Sequence, residues 1–468
     1  MKKTKWIVVV SVIMACCMLF AGCAKTDGEP VESVSETESA TETEGPKLLN
    51  VTIDGKDIGE YKIVYARSPL EQKISATGKT IGEDLKDYLL GENTAYDFDY
   101  QTAVRLQTLI KDKTGKTLEV VKDTDTAAGD YEILVGQTIG RNETASLQDT
   151  MAFDTFKCEL DGTRYVICGK VWGNTWHAVD SVEKLFDKTL TGGKTDLDLK
   201  TSGKLSGEYV MKKVGCIGDS ITRGSQAVYA SGAAVKSWGS AKVRDIYYEE
   251  YLAYPCVAQR NLWKDYIVHN LGEGGTTMSH RSLWRDSEEY TECMGYSVRP
   301  DFDYDLILIM LGTNDAAQSG SLNWSASERK AYLDATRTLM TEIKDGSPNA
   351  QFVMMNVPHR CDCGTALGDD AAARVVQFET AQTLAAEGEI VHFFDMEKFN
   401  KENMTADASK EGAAGVDPLK LHEDYYNIKD GANDKTHFNN KGYYVVGMEM
   451  ITVMEHILNE GPKSEYLY

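Results

Sequence analysis

Apolar and polar positions along this chain fall into two regimes. In the first, short apolar runs alternate with turn residues: Val51-Thr52-Ile53 and Tyr61-Lys62-Ile63-Val64-Tyr65 flank Asp54-Gly55 and predict paired strands. Residues 100–111 have helical spacing, residues 118–121 and 131–135 return to strand, and residues 156–160 and 165–168 flank Asp161-Gly162 as a hairpin. Residues 178–190 then predict an amphipathic helix ending near Gly192-Gly193. The order implies a smaller α+β domain over residues 48–206.

The second regime, residues 207–468, repeats strand and helix. It predicts strands at 214–217, 266–271, 306–310, 351–356 and 390–394, and helices near 252–263, 326–344, 371–386 and 440–458. Strands apolar on both faces and alternating with helices make a parallel sheet covered on each side, an α/β fold. Ligands on such sheets bind beyond the carboxyl ends of the strands. Residues 225–250, rich in Ala, Gly and Ser with Trp238 and several Tyr, fit no element and are expected to wall a substrate cleft.

Ahead of both regimes, Lys2, Lys3 and Lys5 precede a short apolar run, so residues 1–22 predict an export signal. Ala21-Gly22-Cys23 resembles the bacterial lipoprotein signal, in which Cys23 carries the lipid anchor. Residues 23–47 predict a tether, since the stretch 26–46 holds seven acids and no base among Ser, Thr, Gly and Pro. The expected location is outside the cytoplasm, held to the cell membrane by the lipid alone. The remaining length suits two domains. A formal charge of −22 argues against nucleic acid and anionic lipid as partners and favours a neutral or weakly charged small molecule or glycan.

Cysteine usage gives no disulfide framework. Of ten cysteines, Cys16 and Cys17 leave with the signal and Cys23 is acylated, leaving an odd number. Cys216 on a buried strand reads as a small core residue. His359, Cys361 and Cys363 lie within five residues but have no second ligand pair at a recognised spacing, so no metal is expected. Trp172 and Trp176 suit either sugar stacking or the core, with the core favoured.

Four segments carry candidate chemistry. Gly218-Asp219-Ser220-Ile221-Thr222-Arg223-Gly224 follows an apolar strand, and its glycines allow a tight strand-to-helix turn with Ser220 at a helix N-terminus; taken alone, ordinary turn chemistry is the commoner explanation. Asn270-Leu271-Gly272-Glu273-Gly274-Gly275-Thr276-Thr277 is either an anion-stabilising backbone or a plain loop. In Gly312-Thr313-Asn314-Asp315, Asn314 serves an oxyanion or a local cap. Asp434-Lys435-Thr436-His437 places a carboxylate three residues before a histidine, where it orients the imidazole; Asn439 or Asn440 also caps the last helix.

In that order along one α/β domain, the four segments resemble the four blocks of the SGNH (GDSL) hydrolase family, over residues 210–460. The resemblance implies a flavodoxin-like three-layer α/β/α sandwich. It implies Ser220 as nucleophile, His437 as general base and then acid, and Asp434 as the group fixing its tautomer. The oxyanion donors would be the backbone N–H groups of Ser220 and Gly275, with a register that can slip by one, and the Asn314 side chain. The implied reaction is ester hydrolysis through an acyl-enzyme without cofactor or metal. Short acyl groups, chiefly acetyl, on carbohydrate fit the anchor and tether best. A lipase- or thioesterase-like activity on longer acyl chains is the alternative within enzymes, and a non-catalytic glycan-binding lipoprotein the alternative outside them. The segment around Asp130 to Gly136 loosely resembles small accessory domains that precede catalytic domains in bacterial carbohydrate-active enzymes.

Overall fold

The computed structural model describes residues 47–66, 98–136, 138, 140–141, 147, 151–224, 253–272, 274–278, 303–319, 324–358, 367–404, 425–426 and 436–468. The predicted signal, the tether, Cys23, the 225–250 stretch, the Cys361 and Cys363 cluster and Asp434 lie outside the described residues. Among the described residues no helix is long and apolar enough to cross a membrane.

The first regime forms two sheets. Strand β1 (Asn50–Ile53) pairs antiparallel with β2 (Lys56–Asp57), while β3 (Lys62–Tyr65) joins a different sheet. This corrects the expected pairing of residues 51–53 with 61–65. Asp54 and Gly55, both at positive φ, turn the chain so tightly that its partner is the next two residues. A 3₁₀ turn at Ile58–Glu60 then carries it away. Helix α1 (Phe98–Thr114) leads to β4 (Val120–Lys122), and β5 (Glu132–Val135), β6 (Thr155–Asp161) and β7 (Arg164–Gly169) follow. Helix α2 spans Trp172–Thr191 and starts six residues before the expected helix. Its first turn has poor helix formers and no side-chain cap, so packing sets the start. Strand β8 (Asp196–Asp198) returns to β1, and β9 (Leu205–Glu208) completes a six-stranded sheet of order β4-β3-β5-β7-β6-β9.

The second regime builds one parallel sheet. Its strands are β10 (Lys212–Gly218), β11 (Tyr266–Gly272), β12 (Leu306–Met310), β13 (Gln351–Met355) and β14 (Val391–Phe394), in the order β11-β10-β12-β13-β14. This is the flavodoxin-like order, whose reversal falls between β10 and β12. Helices connect the strands: α3 (Ser220–Arg223), α4 (Tyr254–Leu262), α5 (Thr313–Ser319), α6 (Ala326–Gly346), α7 (Leu367–Ala386), α8 (Met396–Asn403) and α9 (Asn440–Asn459).

Alternation along the strands explains the layers. Leu306, Leu308 and Met310 pack with Tyr254 of α4 and Val446 and Met450 of α9, while Ile307 and Ile309 pack with Tyr332 and Leu339 of α6 and Val376 of α7. The domain is therefore a three-layer α/β/α sandwich. Each large apolar side chain so buried contributes about 1.5–3 kcal/mol. Exposed bridges between α6 and α7, such as Arg329 to Glu379 at 2.5 Å, contribute about 0–1 kcal/mol each and are secondary.

Residues 47–468 pack as one compact unit. Trp263 after α4 stacks on Phe98 at 4.8 Å and meets the edge of Trp176, and Trp172 lies against Phe98, so both tryptophans of α2 serve packing. Beside them His177 is held between carboxylates, its Nδ1 at 2.9 Å from Asp180 and its Nε2 at 3.1 Å from Asp265. Burial lowers its pKa, but the hydrogen bonds to Asp265 and Asp180 outweigh burial and raise it. Lys213 of β10 reaches the buried Asp154 at 2.6 Å.

Candidate active site

The strand β10 ends at Gly218 and the chain turns at once into α3. A side chain at Gly218 would put its Cβ 1.9 Å from Thr222 Oγ1 and 2.9 Å from the Met310 carbonyl oxygen, so only glycine lets the turn close against β12. Gly272 at the end of β11 is equally constrained, since its Cβ would lie 2.3 Å from the Arg223 nitrogen. Asp219 caps α3, its Oδ1 accepting the Ile221 N–H at 2.9 Å, and Gly224 ends the helix in the left-handed conformation. Ser220 is thereby the first residue of α3.

His437 arrives from the other end of the chain. Its Nε2 lies 2.7 Å from Ser220 Oγ, across 217 positions of sequence. The approach is fixed by its neighbours. Phe438 is fully buried, paired with Tyr426 in a β-bridge and packed edge-on against Tyr443. Asn439, one of the two residues expected to cap the last helix, caps α9 by accepting the Gly442 N–H at 3.0 Å. Asp434 lies outside the described residues.

The two remaining segments meet beside Ser220. Asn314 Nδ2 donates to the Thr276 carbonyl at 2.9 Å, which fixes its amide and leaves a second N–H on the same nitrogen. Asp315 accepts the Met278 N–H at 2.8 Å, and Asn270 donates to the Arg223 carbonyl at 3.2 Å. These bonds tie the ends of β10, β11 and β12 together at the point where the strand order reverses. Within the glycine loop, a Cβ on Gly274 would lie 3.9 Å from Ser220 Cβ, whereas one on Gly275, at φ 82°, would meet nothing within 4 Å. Gly275 thus borders open space and Gly274 borders the serine.

Asp219 was legible only as a turn residue. It is 1% exposed, and burial pushes its carboxyl up to about 6 against the pull of the Ile221 N–H and of His437. Position before a helix start was the available signal for its capping role. Cys216 is buried in the core as expected. Among the described residues no group of three or more His, Cys, Asp or Glu side chains could hold a metal ion.

The GDSL-like Lipase/Acylhydrolase family model matches residues 216–445, from β10 into α9. This domain belongs to that family. The GDSL domain is accordingly an SGNH serine hydrolase in fold and family, and the match contains Ser220, Asn314 and His437. No curated protein matches the chain. Solved structures similar to it include an active-site mutant of a family two carbohydrate esterase from Clostridium thermocellum, 14% identical, covering 54% of this chain and 65% of that one at a TM-score of 0.34. A Corynascus thermopiles (Myceliophthora fergusii) family two carbohydrate esterase is 17% identical, with coverages of 54% and 68% and a TM-score of 0.35. The M. smegmatis aryl esterase is 16% identical, with coverages of 53% and 100% and a TM-score of 0.32. Thus the chain spans less than two thirds of the Clostridium structure's length.

Proposed function

We propose that the GDSL domain is a serine esterase that removes short acyl groups, chiefly acetyl, from carbohydrate. The observation that carries this reading is the 2.7 Å contact between Ser220 Oγ and His437 Nε2 at the carboxyl ends of the strands. Ser220 Oγ attacks the ester carbonyl carbon as its proton passes to His437 Nε2. Asp434 orients the imidazole. The negative charge that develops on the carbonyl oxygen is held by the N–H groups of Ser220 and Gly275 and by the Asn314 amide. Collapse breaks the bond to the alcohol, which leaves with the proton from His437. A water then delivers its proton to His437 and its hydroxyl to the acyl carbon; the bond to Ser220 Oγ breaks as His437 returns the proton to Oγ, freeing the acid.

Short acyl groups are favoured because Gly274, which borders Ser220, has no side chain, and Asn314, held to Thr276 of the same loop, is polar. A long chain needs apolar walls to offset its desolvation. On one chromogenic alcohol, the acetyl ester is expected to give at least a tenfold higher kcat/KM than the decanoyl ester. A preference for decanoyl would establish the lipase- or thioesterase-like alternative. In the cell, the proposal places the enzyme outside the cytoplasm, lipid-anchored through Cys23 with residues 23–47 as tether.

Asn314 tests the oxyanion assignment. Asn314→Ala is expected to lower kcat about 10²–10³-fold with KM little changed, because its contribution arises as charge develops. Steady-state kinetics on the acetyl ester give both constants, and an unchanged kcat refutes the assignment.

A further inference from the structure

We infer that Asp219 is a positioning residue that supports His437 through its charge as well as capping the helix that carries Ser220; this rests on the esterase reading. A helix cap uses one acceptor, and Oδ1 supplies it to Ile221. The other oxygen, Oδ2, is buried and takes no hydrogen bond of ordinary geometry, with the Thr313 side chain as a polar neighbour. A buried carboxylate used by half is costly. Asn or Ser would cap this turn without that cost, so capping alone does not account for an aspartate here.

What surrounds Asp219 supplies the reason. The titratable groups facing it are His437 from the loop before α9, Asp315 of α5, Tyr254 of α4 and Tyr332 of α6. Burial raises both phenols, which stay neutral at working pH, and Asp315 is an acid. Only His437, whose Nε2 lies 2.7 Å from Oγ of Ser220, the residue after Asp219, gains positive charge during turnover, when it takes that serine's proton. A negative charge in the same low-dielectric site lowers the energy of that imidazolium and of the transition state leading to it.

The sign of the pH effect follows. Burial holds the Asp219 carboxyl at about 6, against 3.8 for the free group, so the folded chain binds this proton more tightly than the unfolded one. The ionised form therefore costs stability above pH 6, and that stability returns as pH falls from 6 towards 3.8. Asp219→Asn keeps the cap and removes the charge. At pH 7.5 it is expected to melt no lower than wild type, while kcat falls about five- to fiftyfold with KM little changed. Asp219→Ser, another uncharged cap, is measured alongside, and the kcat and KM of whichever variant folds decide. An unchanged kcat, or a loss carried by KM instead of kcat, overturns the inference. Wild type that turns over no ester would sink the esterase reading instead, a result distinct from active wild type with an unaltered Asp219→Asn.

Discussion

Ser220→Ala is expected to abolish acetyl-ester turnover, with kcat falling by about 10⁴–10⁶. The substitution removes one oxygen and little else. Asp219 still caps α3 through Ile221, alanine suits the first helical turn, and the core around Ile221 and Thr222 is untouched. The melting temperature should therefore stay within a few degrees of wild type, which separates lost chemistry from lost fold. A small residual rate is expected from whatever oxyanion donors remain. A fluorophosphonate probe supplies an independent readout, because it labels only an activated serine. Wild type should take one label, and the variant none. Equal turnover by both proteins would refute the nucleophile, and equal inertness with retained binding across an acetylated-glycan panel would establish the glycan-binding alternative.

The hydrolase half was legible because its signals are strong and local. Strands such as Leu306–Met310 are apolar throughout, as burial on both faces requires, and three of the four candidate segments sit where a strand ends, the fourth before α9. The joining of Ser220 to His437 was less local, and came from the order of four motifs rather than from periodicity. In the first regime the signals compete. Asp54-Gly55 announces a turn but not its partner, and β1 takes the two-residue β2 rather than the longer run of β3. The start of α2 is hidden for a related reason: Trp172, Gly173, Asn174 and Thr175 read as loop, and contacts with Phe98 and Tyr209 make them helix. Asp219 illustrates the opposite limit. In sequence it reads only as a turn residue, because its burial and its nearness to His437 depend on distant parts of the chain, α4, α5, α6 and the segment before α9, packing around it.

His437→Ala is the second large effect, and it tests the base separately from the nucleophile. Without an acceptor for the Ser220 proton, attack must proceed from a hydroxyl that is ionised only at high pH, so kcat should fall by about 10⁴ or more. The residual rate should then climb with hydroxide concentration instead of reaching a plateau. Removing the ring leaves its backbone position intact, because Phe438 and Asn439 anchor the segment through the core and through the cap of α9. His437 itself is part-buried, so the vacated space is open to small solutes. Added imidazole should enter it, accept the Ser220 proton and restore part of the rate in a saturable manner. Rescue of His437→Ala with no rescue of Ser220→Ala would assign the two roles independently. Retention of more than a tenth of wild-type kcat by His437→Ala would mean that another group takes the proton, and the general-base assignment would fall while the serine assignment stood.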